Sequence, residues 1–370
     1  MFQDIEGVVS MRKVLLVAGG TGGHIFPALA LGEELRNCGV TVIWVGRKGM
    51  LEETVARRAA FQFEPIQSGQ VTGKDPVFRL RGLAEISAGF FQSVKIINRI
   101  NPNAVIAAGG FVSAPLLMAS WIRRIKFFLL EQNCVPGRVT RFFSRYAQEV
   151  FLTFPLEKSL SGNCNVTGTP LRQGIVQRCS QSSVFQLREE ASATIQNRTV
   201  LVIGGSQGAR VLNLAALDLA ATLSNIRVVI ITGKRDYELI KSLVHSRNCE
   251  LVDWTDQPEE YYAQAALAIT RAGALVISEL MAFGIPMIVV PFPFAADRHQ
   301  DANARYIAKI GAGIVLEQSQ LSGLTSLVQH LLTDAAKMEA MSRNARMAAR
   351  IDAGPAIARR IITALNSEGD

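Results

Sequence analysis

The stretch VLLVAGGTGGHI, residues 14–25, runs an apolar segment into four glycines interrupted by Thr21 and ends on His24 and Ile25. A near copy, TVLVIGGSQGAR, occupies residues 199–210. A short apolar run bounded by glycine reads as a buried strand, and the glycines let the chain turn at once into a helix. Such a turn brings a ligand close to the backbone and points free N–H groups and the positive end of a helix dipole at it, which suits a phosphate. Neither copy carries the dinucleotide fingerprint, because G-x-G-x-x-G demands glycine where Ile25 stands, and neither has the Walker spacing with Lys-Ser or Lys-Thr. The alternative is a strand-to-helix turn that needs only close packing.

On either side of these two stretches, short β-branched runs alternate with longer amphipathic ones, the pattern of parallel sheets flanked by helices. Strands are expected over 14–18, 41–45, 104–107, 126–130 and 149–152, then again over 199–203, 227–231, 250–252, 267–269 and 287–290. Helices are expected over 25–37, 77–99 and 115–122, and the tail 338–365 reads as helices interrupted at Gly354-Pro355. Two Rossmann-like α/β domains follow, over 1–170 and 171–352, each aiming a glycine-rich helix start at the cleft between them; a last helix, about 353–370, is expected to cross back to the first.

At 370 residues the chain is long enough for two domains of ordinary size, and with 49% hydrophobic and 19% charged residues it has the composition of a packed protein. A net charge of +8 invites an anionic partner: nucleic acid, a phosphorylated metabolite or an acidic membrane surface. Three Trp and five Tyr scattered along the chain form no base-stacking motif, so nucleic acid is not expected. Cys38, Cys134, Cys164, Cys179 and Cys249 contain no C-x-x-C pair, which points to reduced thiols and to neither a disulfide framework nor a zinc site. The opening residues lack the basic start and long apolar core of a secretory signal. Residues 104–122 hold no charge and approach the length of a membrane span, but Gly109-Gly110, Ser113 and Pro115 make strand, turn and helix the better reading.

The segments GGTGGHIFPALAL, AAGGFVSAP, LEQN, VTGTPLR, GGSQGAR, RAGALVISEL and PFPFAADRHQDANA occur in that order. Together they resemble the MurG family across nearly the whole chain. The resemblance implies the GT-B fold and transfer of N-acetylglucosamine from UDP-N-acetylglucosamine to the 4-hydroxyl of the muramyl sugar of lipid I, with inversion, giving lipid II for the cell wall. It implies neither a cofactor nor a metal. Consistently, no two aspartates lie two positions apart, so the D-x-D signature of metal-dependent sugar-nucleotide enzymes is missing. The departing diphosphate then needs a helix N-terminus and a cation. Ser206, Gln207 and Arg172 are residues of the types required.

Residue by residue, the resemblance places a ribose-binding carboxylate at Glu279, with Ala274, Leu275, Val276, Ile277 and Ser278 along the same nucleotide. Gln300 matches the position that reads sugar hydroxyls, Thr255 the region of uracil contact, and Asn133 a contact to the donor sugar. Thr21, Gly22 and Gly23 match the loop near the diphosphate and acceptor. His24 follows that loop, where an imidazole, which titrates near neutrality, suits a general base for the acceptor hydroxyl. Glu131 is the competing base, and a structural or phosphate-contacting His24 stays open. The chain departs from the family at Leu130 and Phe294, where histidine is common, at Thr169, where asparagine is, and at Arg298.

An undecaprenyl-linked acceptor requires the membrane surface, so a peripheral site on the anionic cytoplasmic face of the plasma membrane is expected. Val77, Phe78, Leu80, Leu83, Phe90 and Phe91 among Lys74, Arg79, Arg81 and Lys95, and Trp121-Ile122 before Arg123, Arg124 and Lys126, mix apolar and cationic groups as such a surface requires. An ordinary amphipathic helix is the alternative. Among other functions, a UDP-sugar 2-epimerase shares the fold but needs further acidic and histidine groups, and the chain has four histidines. A non-catalytic binding protein is favoured by charge alone.

Overall fold

The computed structural model describes residues 12–69, 76–181, 198–205 and 208–367, the side chains of 76–79 excepted. Among them two wholly parallel sheets form. The first has seven strands in the order β3-β2-β1-β4-β5-β6-β7: β1 (Lys13–Val17), β2 (Thr41–Gly46), β3 (Gln62–Pro65), β4 (Ala104–Ala107), β5 (Lys126–Glu131), β6 (Glu149–Leu152) and β7 (Cys164–Val166). The second has six, β10-β9-β8-β11-β12-β13: β8 (Thr199–Ile203), β9 (Arg227–Ile231), β10 (Cys249–Val252), β11 (Ala265–Thr270), β12 (Met287–Val289) and β13 (Gly313–Val315).

Parallel strands covered on both faces need near-continuous apolar runs, and Val14, Leu15, Leu16 and Val17 are fully buried for that reason. β1 lies in register with β2 through Leu16 and Trp44 and with β4 through Leu16 and Ile106. In each sheet the strand order reverses beside the central strand, β1 against β4 and β8 against β11. The two crevices where ligands enter doubly wound sheets therefore open at the loops after those four strands. Both opening motifs fall there.

The two glycine turns agree through their second glycine, since Gly20 and Gly205 share a left-handed backbone at φ +97° and +83°. They then diverge. The helix Gly22–Asn37 begins immediately, whereas the helix Arg210–Thr222 waits for a further turn through Gly208, at φ +70°, where any Cβ would meet the Thr232 carbonyl oxygen at 2.3 Å. Ser206 and Gln207 lie outside the described residues.

The uncharged window resolves as expected into β4, the Gly109-Gly110 turn and the helix Ser113–Ile122. No helix among the described residues is long and apolar enough to cross a membrane. One expectation is corrected: Gly354-Pro355 does not interrupt the tail. The break falls between the helices Ala335–Ala348 and Ala353–Asn366, and Pro355 sits in the first turn of the latter, where its missing N–H has no helical acceptor to lose. That last helix buries Ile357, Ala358 and Ile361 in the same core as Ile25, Leu31 and Phe128.

Candidate functional site

The helix Gly22–Asn37 buries Ile25, Ala28, Leu31 and Leu35, a spacing that turns its other face and its first turn toward the crevice. Thr21 stands exposed at the N-cap position without capping through its side chain, leaving its hydroxyl uncommitted within the helix start. His24, partly buried, places Nδ1 2.8 Å from Oε1 of Gln132. The histidine, Gly109 after β4 and the LEQN segment at the end of β5 thus meet at one point.

Glu131, the other candidate base, is buried, and its two oxygens accept the backbone N–H groups of Asn133 at 3.1 Å and Gly137 at 3.0 Å. Its carboxylate shapes the loop that carries Asn133. Asn133 in turn accepts a 3.0 Å hydrogen bond at Oδ1 from Nδ2 of Asn303, which belongs to the helix His299–Lys309 beside the second sheet.

Across the crevice, the helix Ala274–Ala282 starts directly after β11 with Gly273 as N-cap. Leu275 and Ile277 bury their side chains in the core against the second sheet, so only their backbone is open to a ligand; Ala274 is likewise buried, Val276 and Ser278 are half-buried, and the Ser278 hydroxyl donates to the Ala274 carbonyl at 2.9 Å. Glu279 is 3% exposed, with Oε1 3.3 Å from Nη2 of Arg172 and Oε2 accepting the Tyr262 hydroxyl at 2.9 Å. Burial pushes its carboxyl above the usual range, against the opposing pull of Arg172 and Tyr262. Burial, reinforced by the neighbouring Glu279 carboxylate, holds the Tyr262 phenol far up. Arg172 also donates to the Asp256 carbonyl at 2.8 Å, and its guanidinium lies 5.0 Å from the centre of the Phe26 ring, two residues beyond His24. A cation on an aromatic face here joins the Glu279 pocket to the start of the first helix.

Gln300 is half-buried and its Oε1 accepts the Phe292 N–H at 2.9 Å, which leaves the amide nitrogen as a donor for a ligand. Thr255 accepts the Gln257 N–H at 3.0 Å and stabilises its own turn. Phe294 is 82% exposed, and Arg298 pairs with Asp301. Among the described residues no three His, Cys, Asp or Glu groups are placed to hold a metal ion. Gln132, Asn303 and Tyr262 were not singled out from sequence. The first two lie inside the motifs LEQN and DRHQDANA, whose other residues are a usable signal; Tyr262 has none.

Two parallel Rossmann-like sheets, each with a glycine turn at its switch point and with buried polar groups between them, define the GT-B class. Within that class, residues 14–152 match the N-terminal domain model of glycosyltransferase family 28 and residues 199–354 its C-terminal domain model. A Methylococcus capsulatus protein named UDP-N-acetylglucosamine--N-acetylmuramyl-(pentapeptide) pyrophosphoryl-undecaprenol N-acetylglucosamine transferase is 36% identical over 94% of this chain and 97% of its own. The crystal structure of Acinetobacter baumannii MurG superposes with a TM-score of 0.78 at 27% identity, covering 95% of this chain and 99% of that one. A UDP-GlcNAc 2-epimerase from Neisseria meningitidis, bound to UDP-GlcNAc, shares the fold with a TM-score of 0.62 at 14% identity over 95% of this chain and 100% of its own. The chain belongs to glycosyltransferase family 28 and, within it, to the MurG family; it is a glycosyltransferase.

Proposed function

We propose that this chain transfers N-acetylglucosamine from UDP-N-acetylglucosamine to the 4-hydroxyl of the muramyl sugar of lipid I, with inversion and without a metal, giving lipid II. The observation that carries the reading is the Arg172 guanidinium seated between Glu279 and Phe26, 5.0 Å from that ring. It brings Glu279 beside the helix start that bears His24. In this reading Glu279 receives the ribose hydroxyls on the lone pairs that Arg172 and Tyr262 leave open. Gln300 and Asn133 address the donor sugar through their amide nitrogens.

The acceptor O–H bond breaks as its proton passes to His24, and the oxygen attacks the anomeric carbon from the face opposite UDP. The bond from that carbon to the diphosphate oxygen breaks, and its electron pair leaves on UDP; a single displacement inverts the centre. Charge building on the diphosphate is met by the N-terminus of the helix Ala274–Ala282 and by Arg172, groups fixed before the reaction begins.

Exposed apolar side chains support action at a membrane surface. Leu80, Leu83 and Phe91 project from the helix Pro76–Ile100, and Trp121 and Ile122 end the helix packed beside it, followed by exposed Arg123 and Arg124. Trp121 packs on Tyr146 at 4.8 Å between ring centres, with Phe142 also exposed, so the patch extends beyond the segments read from sequence. Lys74, Val77, Phe78 and Arg79 fall outside the described side chains. Such a surface fits the anionic cytoplasmic leaflet, where lipid I is presented.

The test is transfer of radiolabelled N-acetylglucosamine to a soluble lipid I analogue in excess EDTA, with Glu279→Ala and His24→Ala alongside. Lipid-linked product that survives EDTA and is lost in both variants is expected. Conversion of the donor to UDP-N-acetylmannosamine without transfer would instead make the protein an epimerase.

A further inference from the structure

Gln132 is 3% exposed, and each end of its amide is committed. Nε2 lies 3.1 Å from the carbonyl oxygen of Ala108. A carbonyl only accepts, so the amide must turn its nitrogen to that side and its oxygen to the other. Ala108 is itself anchored at the end of β4, its N–H donating to the Val17 carbonyl at 2.9 Å, so the amide has a rigid reference. On the other side Oε1 faces Nδ1 of His24 at 2.8 Å. An amide oxygen also only accepts, and Nδ1 must then carry the hydrogen.

We infer that Gln132 is a positioning residue that locks neutral His24 in its Nδ1–H tautomer, so that the free lone pair sits on Nε2. The inference deepens the reading of His24 as general base and rests on it. The atom that takes the acceptor proton is Nε2: the O–H bond breaks, the new N–H bond forms on the Nε2 lone pair, and imidazolium keeps its Nδ1–H bond to Gln132.

The surroundings are built for this contact. Gly109 has φ +89°, and a Cβ there would stand 3.0 Å from Nδ1 and 3.5 Å from the Gln132 oxygen, so a side chain would push into the hydrogen bond itself. The charged groups on the neighbouring elements are engaged elsewhere. Glu131 is tied to Asn133 and Gly137, Glu52 turns Oε1 to Arg47 at 3.2 Å where it lies against Gly19 and leaves Oε2 without a hydrogen bond, and Glu279 pairs with Arg172 next to Phe26. The partner that orients the imidazole is therefore a neutral amide, which fixes the tautomer without the charge that a carboxylate places beside imidazolium.

The experiment uses the intact protein labelled with 15N-histidine, whose four histidines are assigned by losing the His24 signals in His24→Gln. Above the imidazole titration, wild type is expected to show His24 protonated at Nδ1. Gln132→Met should populate the Nε2–H form, and kcat should fall by about tenfold or more, within the roughly 10²–10⁴-fold that a general base supplies. Gln132→Glu keeps the acceptor toward Nδ1, gives up the bond donated to the Ala108 carbonyl and adds charge, and should move the acid limb of the kcat/KM profile upward by about one pH unit. A residue that merely supports the loop leaves that limb in place. His24 protonated at Nε2 in wild type, or an Nδ1–H signal unchanged in Gln132→Met, would overturn the inference. A tautomer that switches as expected while kcat and the acid limb stay constant upholds the positioning and removes His24 as the base.

Discussion

Asn303 and Asn133 share a hydrogen bond of 3.0 Å from Nδ2 to Oδ1 although 170 positions separate them. The same Asn303 amide donates to the Ala272 carbonyl at 3.0 Å and accepts the Cys134 N–H at 2.9 Å, so a fully buried side chain has its donors and acceptor all used. It ties the loop after β5 to the segment that starts the helix Ala274–Ala282. Replacing it by alanine strands the buried Cys134 N–H and is expected to destabilise the protein by about 2–3 kcal/mol. Asn303→Asp should be worse, because it loses both donated bonds and sets a buried carboxylate against two oxygens. Equilibrium denaturation measures both. An aspartate variant as stable as the alanine one would mean that water reaches this point.

The raised carboxyl of Glu279 gives stability a definite pH dependence. Its folded value lies above the ordinary 4.5, so between the two the folded state binds more protons than the unfolded state. Its contribution is fully present below the unfolded value and is lost as pH rises through the folded one, at about 1.4 kcal/mol for each pH unit that separates the two. Glu279→Gln cannot titrate. Wild type minus variant stability should therefore fall as pH is raised from about 4.5. A difference that rises over that window would show Arg172 outweighing burial.

Cysteine labelling tests the packing beneath the site. Cys38 is exposed, whereas burial pushes the Cys134 thiol up to about 12 and the Cys249 thiol up to about 11, each with help from a nearby glutamate. Alkylation requires thiolate and access. A brief iodoacetamide pulse near neutral pH, read by peptide mass mapping, should modify Cys38 first and Cys134 last. Equal rates at the two would mean that the loop after β5 opens freely.

Much of the fold was legible because central parallel strands must be apolar on both faces. β4, β6, β8 and β9 occur at the expected bounds. The three strands not anticipated, β3, β7 and β13, all lie at sheet edges. Gln62–Pro65 is half wet along its length, Cys164–Val166 holds three residues, and Gly313–Val315 begins on glycine, so none has the long apolar run that identifies an interior strand. At the site, the sequence motifs supply residue types, and strand order brings the two glycine turns to their crevices. The pairings of Arg172 with Phe26 and of Asn303 with Asn133 follow from how the two sheets meet, which no local pattern encodes. Even within one motif, Gln132 stands out less than its charged neighbour Glu131, since a neutral amide acquires a role only through the geometry of its partners.

The last helix, Ala353–Asn366, supplies the final test. It follows elements of the second sheet in the chain, yet it packs on the helix Gly22–Asn37 and completes the core that holds the first glycine turn in place. Lys126 donates to the Ala364 carbonyl at 3.0 Å and Arg360 pairs with Glu149 at 2.6 Å, fixing its direction against β5 and β6. Ile361 is fully buried in that core. Ile361→Ala removes apolar surface and leaves a cavity, and is expected to destabilise by about 2–4 kcal/mol. Arg359 is exposed on the opposite face, and Arg359→Ala should change stability by no more than about 0.5 kcal/mol. Chemical denaturation of the two variants separates docking from helix propensity, because both end as alanine in the same helix. Equal, small losses would show that the helix does not contribute to the core; a large loss confined to Ile361→Ala would establish the C-terminal segment as part of the support beneath His24.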